Sequence, residues 1–307
     1  MKIALLFPGY DSQFVGMGKE LYDEYRVVQE YFEEASNCLD INFVKLCFAS
    51  SDIELGKMNN AYTSLFLVGS SVYAVLKEHG IEPDVVAGYN NGESAALFAA
   101  GCFSLPDGLY LLHKFSSFYQ EFIDEKEVDA MQVTGLSLME LEALCKKIST
   151  DEHPISIAIY NSQTDHIVAG NRIGLGQLQD AIDGKGNIEF VGPEVGLHSS
   201  SMDTIVDVLK SYLEKVDFKD LKIPLISCID GAMVTEGPET KDRFIRHINS
   251  SIQFTNVMEK LADYDCILIA TPSDVLVEMV RQNYPEKMVI SVAKKTDIVT
   301  LKEMLSK

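Results

Sequence analysis

Asp84-Val-Val-Ala-Gly-Tyr-Asn-Asn-Gly-Glu-Ser-Ala-Ala-Leu-Phe-Ala-Ala-Gly101 decides how the rest of the chain is read. Asp84 to Ala87 is a short, largely β-branched run of the kind buried in a parallel sheet. Gly88 to Gly92 has turn chemistry, and a small-residue helix starts at Glu93. Strand, tight turn and helix in that order describe a nucleophile elbow, in which Gly-x-Ser-x-Gly lifts a serine hydroxyl above the end of a sheet. Here the turn reads Gly88-Tyr89-Asn90-Asn91-Gly92, so the apex is Asn90. A carboxamide nitrogen has no usable lone pair and cannot stand in for an alkoxide.

Outward from the elbow, further apolar runs of parallel-strand type occur at Ile3–Phe7, Leu225–Cys228, Cys266–Ala270 and Met288–Val292. Helical patterns fall between them, at Val27–Leu39, Ala61–His79, Pro106–Ile123, Met202–Val216, Asn256–Ala262 and Ser273–Gln282. The alternation predicts an α/β protein with a mostly parallel sheet covered on both faces. Residues 128–195 follow another pattern: strand Met131–Leu136, helix Leu138–Ile148, strands Ile155–Tyr160 and His166–Ala169, helix Leu175–Ile182 and strand Ile188–Val191. That β-α-β-β-α-β order predicts a ferredoxin-like small domain at 128–195, inserted into a large domain made of 1–127 and 196–307.

Composition narrows the function classes. The chain has 307 residues, 47% hydrophobic and 23% charged, which suits a globular enzyme-sized protein. Its formal net charge of −20 argues against nucleic acid and anionic membranes as partners, and an acidic partner would need a local basic patch. The cysteines are scattered singly, without metal-like pairs, as expected of free thiols in a reducing cytosol. The apolar run from Met1 turns at Pro8, too short for a signal peptide, and Ala61 to Leu76 is better read as a buried helix than as a membrane span. The expectation is a cytoplasmic protein with no metal.

Several motifs in a set order carry a resemblance: Phe7-Pro-Gly-Tyr-Asp-Ser-Gln-Phe-Val-Gly-Met-Gly18, the elbow, Tyr160-Asn-Ser162 with Val168-Ala-Gly170, Leu197-His-Ser199, and Ile252-Gln-Phe254. Together they resemble malonyl-CoA:acyl carrier protein transacylases and the acyltransferase domains of polyketide synthases, from Met1 to about Leu305. The resemblance implies an α/β-hydrolase-like core and ping-pong transfer of an acyl group from coenzyme A to a carrier-protein phosphopantetheine. It also implies a monomer without a bound cofactor.

Carried over residue by residue, the resemblance departs where the chemistry is concentrated. The family elbow Gly-His-Ser-Leu-Gly-Glu places Tyr89 at the histidine, Asn90 at the serine and Asn91 at the leucine, while Gly92 and Glu93 match. In the opening motif, Gly-Gln-Gly-Ser-Gln, Tyr10 and Asp11 replace Gln-Gly, the glutamine of which lies near the oxyanion hole. The arginine that pairs with the malonyl carboxylate falls on Phe115, whereas His198 keeps the general-base position and Gln253 also matches. A base without a hydroxyl to activate leaves acyl transfer weaker by a factor on the order of 10⁶, by analogy with nucleophile knockouts. Loss of the arginine removes a bidentate clamp on a carboxylate, so an apolar acyl group suits Phe115 better.

Two readings of the altered apex stay open. Asparagine tolerates a strained elbow backbone better than most residues, so Asn90 can be drift. Alternatively, Tyr10, Tyr89, Asn90 and Asn91 supply neutral hydrogen-bonding groups that hold a thioester, pantetheine amide or acyl carbonyl without cleaving it. Either way the expected function is a non-transferring acyltransferase relative that engages an acyl thioester, a carrier protein or a synthase component. The other class is an active acyltransferase or thioester hydrolase in which His198 activates water. Ser94 is expected to point away from the pocket, and Ser199, Ser200 and Ser201 to cap the next helix. The other histidines, His247 included, read as surface or packed residues, and Lys241–His247 as a solvated basic helix face.

Overall fold

The computed structural model describes residues 1–192, 198–199, 202–270 and 273–305. In chain order the strands are β1 (Ile3–Phe7), β2 (Val85–Gly88), β3 (Val128–Thr134), β4 (Ile155–Tyr160), β5 (Asp165–Asn171), β6 (Asn187–Phe190), β7 (Leu225–Ile226), β8 (Met233–Val234), β9 (Cys266–Ala270) and β10 (Met288–Val292). They form a six-stranded sheet of order β10-β9-β1-β2-β7-β8 and a four-stranded sheet of order β4-β5-β3-β6. Pairing in the large sheet is parallel except for the β7–β8 hairpin at its edge.

The uninterrupted apolar run of β1 follows from burial on both sides. Leu5 and Phe7 face one core cluster, and Ala4 and Leu6 face the other. β2 divides the same way, with Val86 on the first side and Val85 and Ala87 on the second. The first cluster packs under the helix Met58–Glu78, which is buried along most of its length. It is the buried helix expected from Ala61 to Leu76, and no described helix is long and apolar enough to cross a membrane.

The small sheet is antiparallel and its order is ferredoxin-like, with helices Leu138–Ile148 and Arg172–Ile182 at their expected places in the chain. An own core of Met131, Val133, Leu141, Ile157, Val168 and Leu178 supports it. It joins the large sheet's side of the molecule through an isolated bridge from Ile159 to Ile252. The expected boundary at 195/196 lies outside the described residues.

Several elements differ from expectation, such as the strand expected at Met131–Leu136, which runs Val128–Thr134, and three differences lie near the elbow or its neighbours. Leu225–Cys228 is a strand only at Leu225–Ile226, because the Cys228 N–H leaves the sheet to donate to Glu93 Oε2 at 2.6 Å. The helix expected from Met202 runs Asp203–Leu213 with Met202 as its N-cap and no side-chain cap; Ser199 contributes only its carbonyl, accepting from Met202 N at 3.0 Å, and Ser200 and Ser201 lie outside the described residues. Lys241–His247 is solvated on one side only: Asp242 and Arg246 are exposed, while the helix Gly237–Asn249 buries Arg243, Phe244 and Ile248, and Arg243 pairs with Asp230 and Glu239.

Candidate active site at the elbow

Register places two loops side by side. Phe7, the last residue of β1, pairs with Gly88, the last of β2, so the Pro8-Gly9-Tyr10 loop and the elbow leave the sheet together. Ligands of open parallel sheets bind beyond these carboxyl ends. Contact between the loops is close enough to exclude side chains at two glycines. A Cβ on Gly92 would stand 2.3 Å from Phe7 O, and one on Gly9 would stand 2.4 Å from Tyr89 O. Below the elbow, the buried Glu93 carboxylate ties the helix Glu93–Ala99 to the loop after β7 through Cys228 N–H.

Asn90 forms the apex with φ 53°, a left-handed conformation that asparagine adopts more readily than most residues. It and His198 are fully buried, and their side chains meet at 3.3 Å between Asn90 Oδ1 and His198 Nε2. The structure therefore brings the expected base to the expected apex across 108 residues of chain. His198 itself has φ 74°, and its N–H donates to Ile248 O at 3.1 Å.

His247 is the residue that sequence reading left out. Its carbonyl lies 2.5 Å from His198 Nδ1, its Nε2 lies 3.0 Å from Asn90 O, and the two imidazole rings are 4.8 Å apart. One residue thus orients the base through its backbone and holds the apex through its side chain. The only available hint was its position on the basic Lys241–His247 stretch, which reads as solvated until the fold brings it inward.

The tautomer of His198 follows from these partners. A carbonyl only accepts, so Nδ1 carries the proton toward His247 O. Burial first, then the neighbouring His247 ring, holds His198 well below the usual imidazole range, against the opposing pull of the backbone bond to His247. His198 is therefore neutral near pH 7 and Nε2 presents a lone pair. A lone pair cannot bond a carbonyl oxygen. The pair is satisfied with the Asn90 carboxamide turned so that Nδ2–H meets Nε2, and in its present orientation Nδ2 has no partner among the described residues. An oxygen without a donor is the cheaper orphan.

This burial has a pH consequence. The folded pKa of His198 is depressed below the unfolded value of about 6.5, so the unfolded chain takes up a proton that the folded chain refuses. Stability from this site is complete above that pH and falls by about 1.4 kcal/mol per pH unit below it. Urea unfolding at pH 7.5 and 5.5 should show a shallower pH slope for His198→Gln than for the unsubstituted chain. Equal slopes would refute the assignment of a buried neutral imidazole.

The remaining expected residues are placed as follows. Tyr89 OH donates to Asn161 Oδ1 at 3.1 Å, and its ring packs edge-on to Phe254 at 4.8 Å. Tyr10 OH donates to Gly56 O at 2.9 Å, while Tyr10 N–H donates to Asn91 Oδ1 at 2.6 Å. Both hydroxyls are thus directed to protein groups rather than gathered at the apex. Gln253 is half-buried as the N-cap of Phe254–Leu261, its N–H donating to Cys228 O at 2.9 Å. Phe115 lies in a run of rings, 6.0 Å from Tyr62 and 5.9 Å from Tyr119, with Tyr10 at the near end, 5.8 Å from Tyr62. Ser94 is buried in the helix after the elbow.

Comparison with known proteins agrees with the fold. A family model described as an acyl transferase domain matches residues 4–300. A malonyl CoA-acyl carrier protein transacylase of Bacillus subtilis (strain 168) is 31% identical over 262 residues, 85% of this chain and 83% of the relative. The malonyl CoA-acyl carrier protein transacylase of Coxiella burnetii superposes with a TM-score of 0.94 at 20% identity, covering 100% of this chain and 98% of that one. A malonyl-transacylase solved in complex with a type II polyketide-synthase acyl-carrier protein gives 0.93 at 22% identity, covering 99% of this chain and 100% of that one. With its α/β sheet, ferredoxin-like companion and elbow in the family's order, this chain belongs to the acyl transferase domain family and is similar to malonyl-CoA–acyl carrier protein transacylases.

Proposed function

We propose that this chain works in fatty acid or polyketide synthesis as a binding partner of an acyl thioester or of the carrier protein that bears one, without forming an acyl-enzyme. The observation that carries the reading is the apex: a fully buried carboxamide, Asn90, stands where attack would start, against the His198 ring. A base whose lone pair is capped by an amide N–H has no hydroxyl to deprotonate, and its full burial beside Asn90 also weighs against hydrolysis through His198. The relatives' names supply the partner class, an acyl carrier protein. For docking, the partly exposed Tyr10, Ser12 and Gln13 offer polar surface at the first loop, and the helix that brings His247 to the elbow also carries Lys241 and Arg246. That local basic stretch would meet an acidic carrier despite the overall charge of −20.

The test is intact-protein mass spectrometry after incubation with malonyl-, acetyl- and longer acyl-CoA, followed by titration with a holo acyl carrier protein. No adduct is expected with any thioester, with measurable carrier binding that weakens as salt rises. A stable adduct overturns the reading, and peptide mapping of the adduct would identify the residue that replaces serine.

A further inference from the structure

The two carboxamides of the elbow do different things, and the second blocks a second part of the machinery. At an elbow of this kind the developing oxyanion is met by the N–H of the residue after the apex and by an N–H from a neighbouring loop. Here the neighbouring loop is Pro8-Gly9-Tyr10, held beside the elbow by the Phe7–Gly88 register. Its Tyr10 N–H is already taken, at 2.6 Å, by the side-chain oxygen of Asn91. Gly9 lets that oxygen through: a Cβ at Gly9 would lie 2.9 Å from Asn91 Oδ1. Asn91 is 6% exposed, so solvent competes little for the bond.

We propose that Asn91 is an internal plug of the oxyanion site, its Oδ1 occupying on Tyr10 N–H the place of a thioester carbonyl oxygen. The inference rests on the non-transferring reading above and deepens it. Asn90 caps the base, Asn91 caps the oxyanion donor, and each half of the former site is satisfied by one of two adjacent residues. A part-buried N–H at 2.6 Å from a buried carboxamide oxygen is not readily released without a replacement acceptor, since an orphaned donor is costly. Restoring a nucleophile alone therefore leaves the site without one of its two oxyanion donors.

The experiment compares four full-length chains: unsubstituted, Asn91→Leu, Asn90→Ser, and Asn90→Ser with Asn91→Leu. Leucine matches asparagine roughly in size and lacks the acceptor. Acylation by acetyl-CoA is followed by intact mass and thiol release. In the serine variants the hydroxyl oxygen bonds to the acyl carbon and the C–S bond breaks. His198 takes the hydroxyl proton and passes it to the departing coenzyme A thiolate. The double variant should acylate at least about tenfold faster than Asn90→Ser, and up to roughly 10²–10³-fold, the range for one oxyanion donor. A double variant no faster than Asn90→Ser, with both at background included, overturns the proposal.

A second readout does not depend on chemistry. The Tyr10 amide proton, followed by NMR, should shift upfield and exchange roughly tenfold faster in Asn91→Leu than in the unsubstituted chain, provided the fold is kept by circular dichroism. An unchanged Tyr10 amide also overturns it. Acylation of the unsubstituted chain would sink the non-transferring reading alone; the plug would then still be judged by whether Asn91→Leu accelerates that reaction.

Discussion

Gly92→Ala is expected to destabilise the protein by about 3–5 kcal/mol, enough to lower Tm by roughly 10 °C. The cause is steric and not conformational, since the helix flanking Gly92 begins with ordinary right-handed geometry and Gly92 itself has φ −59°. Its Cβ would stand 2.3 Å from Phe7 O and 2.6 Å from Pro8 O. These are backbone atoms at the end of a central strand, which is paired on both sides and cannot move as a side chain can. The elbow would have to lift instead, breaking the His247 Nε2–Asn90 O and Tyr10 N–Asn91 Oδ1 bonds. Thermal and urea unfolding of Gly92→Ala against Gly176→Ala give the control, because nothing lies within 4 Å of a Cβ at Gly176. Comparable melting of the two would mean that the elbow tolerates a displacement the packing argues against.

What this glycine does was half legible in the sequence. Gly88 and Gly92 announced a tight turn, but the Phe7 carbonyl that an alanine Cβ would strike belongs to a strand more than eighty residues away. The same division runs through the molecule. β1, β9 and β10 were read to the residue because both-face burial writes a continuous apolar run. Helix Leu138–Ile148 was also read to the residue, and Ser137 and Glu140 close its start with a local capping box. Short helices such as Phe43–Ala49 and Asp52–Gly56 escaped, having too few turns to show a period, although Asn42 and Ser51 cap them through side chains.

At the site, Asn90 and His198 were found by their places in an ordered set of motifs. His247 was not, since its bond to the elbow spans 157 residues and it sits in no such motif. Asn161 is part of the Tyr160-Asn-Ser162 motif, but its partner Tyr89 lies 72 residues away and that motif does not name it. Asn91 was named as a pocket residue, but only the register of β1 with β2 shows which donor it meets. The tyrosine hydroxyls illustrate the opposite error of scale. Grouping Tyr10 with Tyr89 by sequence position suggests convergence, whereas Gly56 and Asn161 draw the two hydroxyls apart.

Phe115→Ala should cost about 3–5 kcal/mol, and Phe115→Arg at least as much, with neither creating a preference for malonyl groups. Phe115 is 6% exposed, stacked on Tyr119 with an interplanar angle of 8° and on Tyr62 with one of 24°. Phe115, Tyr119 and Phe122 follow one another on one face of the helix Leu105–Lys126, and Tyr62 with Tyr10 continues the rings toward the first loop. Alanine removes the central ring and leaves its neighbours facing a gap. Arginine keeps volume but buries a guanidinium, whose desolvation costs several kcal/mol against roughly 1–2 recovered from stacking on tyrosine faces. The resemblance places at this position an arginine that clamps a carboxylate, and that role needs space for the carboxylate as well as the charge. In this chain Phe115 is instead packed between the rings of Tyr62 and Tyr119. Urea unfolding gives the stability of each variant, and calorimetric titration with malonyl- and acetyl-CoA gives its acyl preference. Phe115→Arg that stays as stable as the unsubstituted chain and binds malonyl-CoA at least tenfold better than acetyl-CoA would show that one residue, and not a rebuilt aromatic column, separates this chain from a malonyl-binding relative.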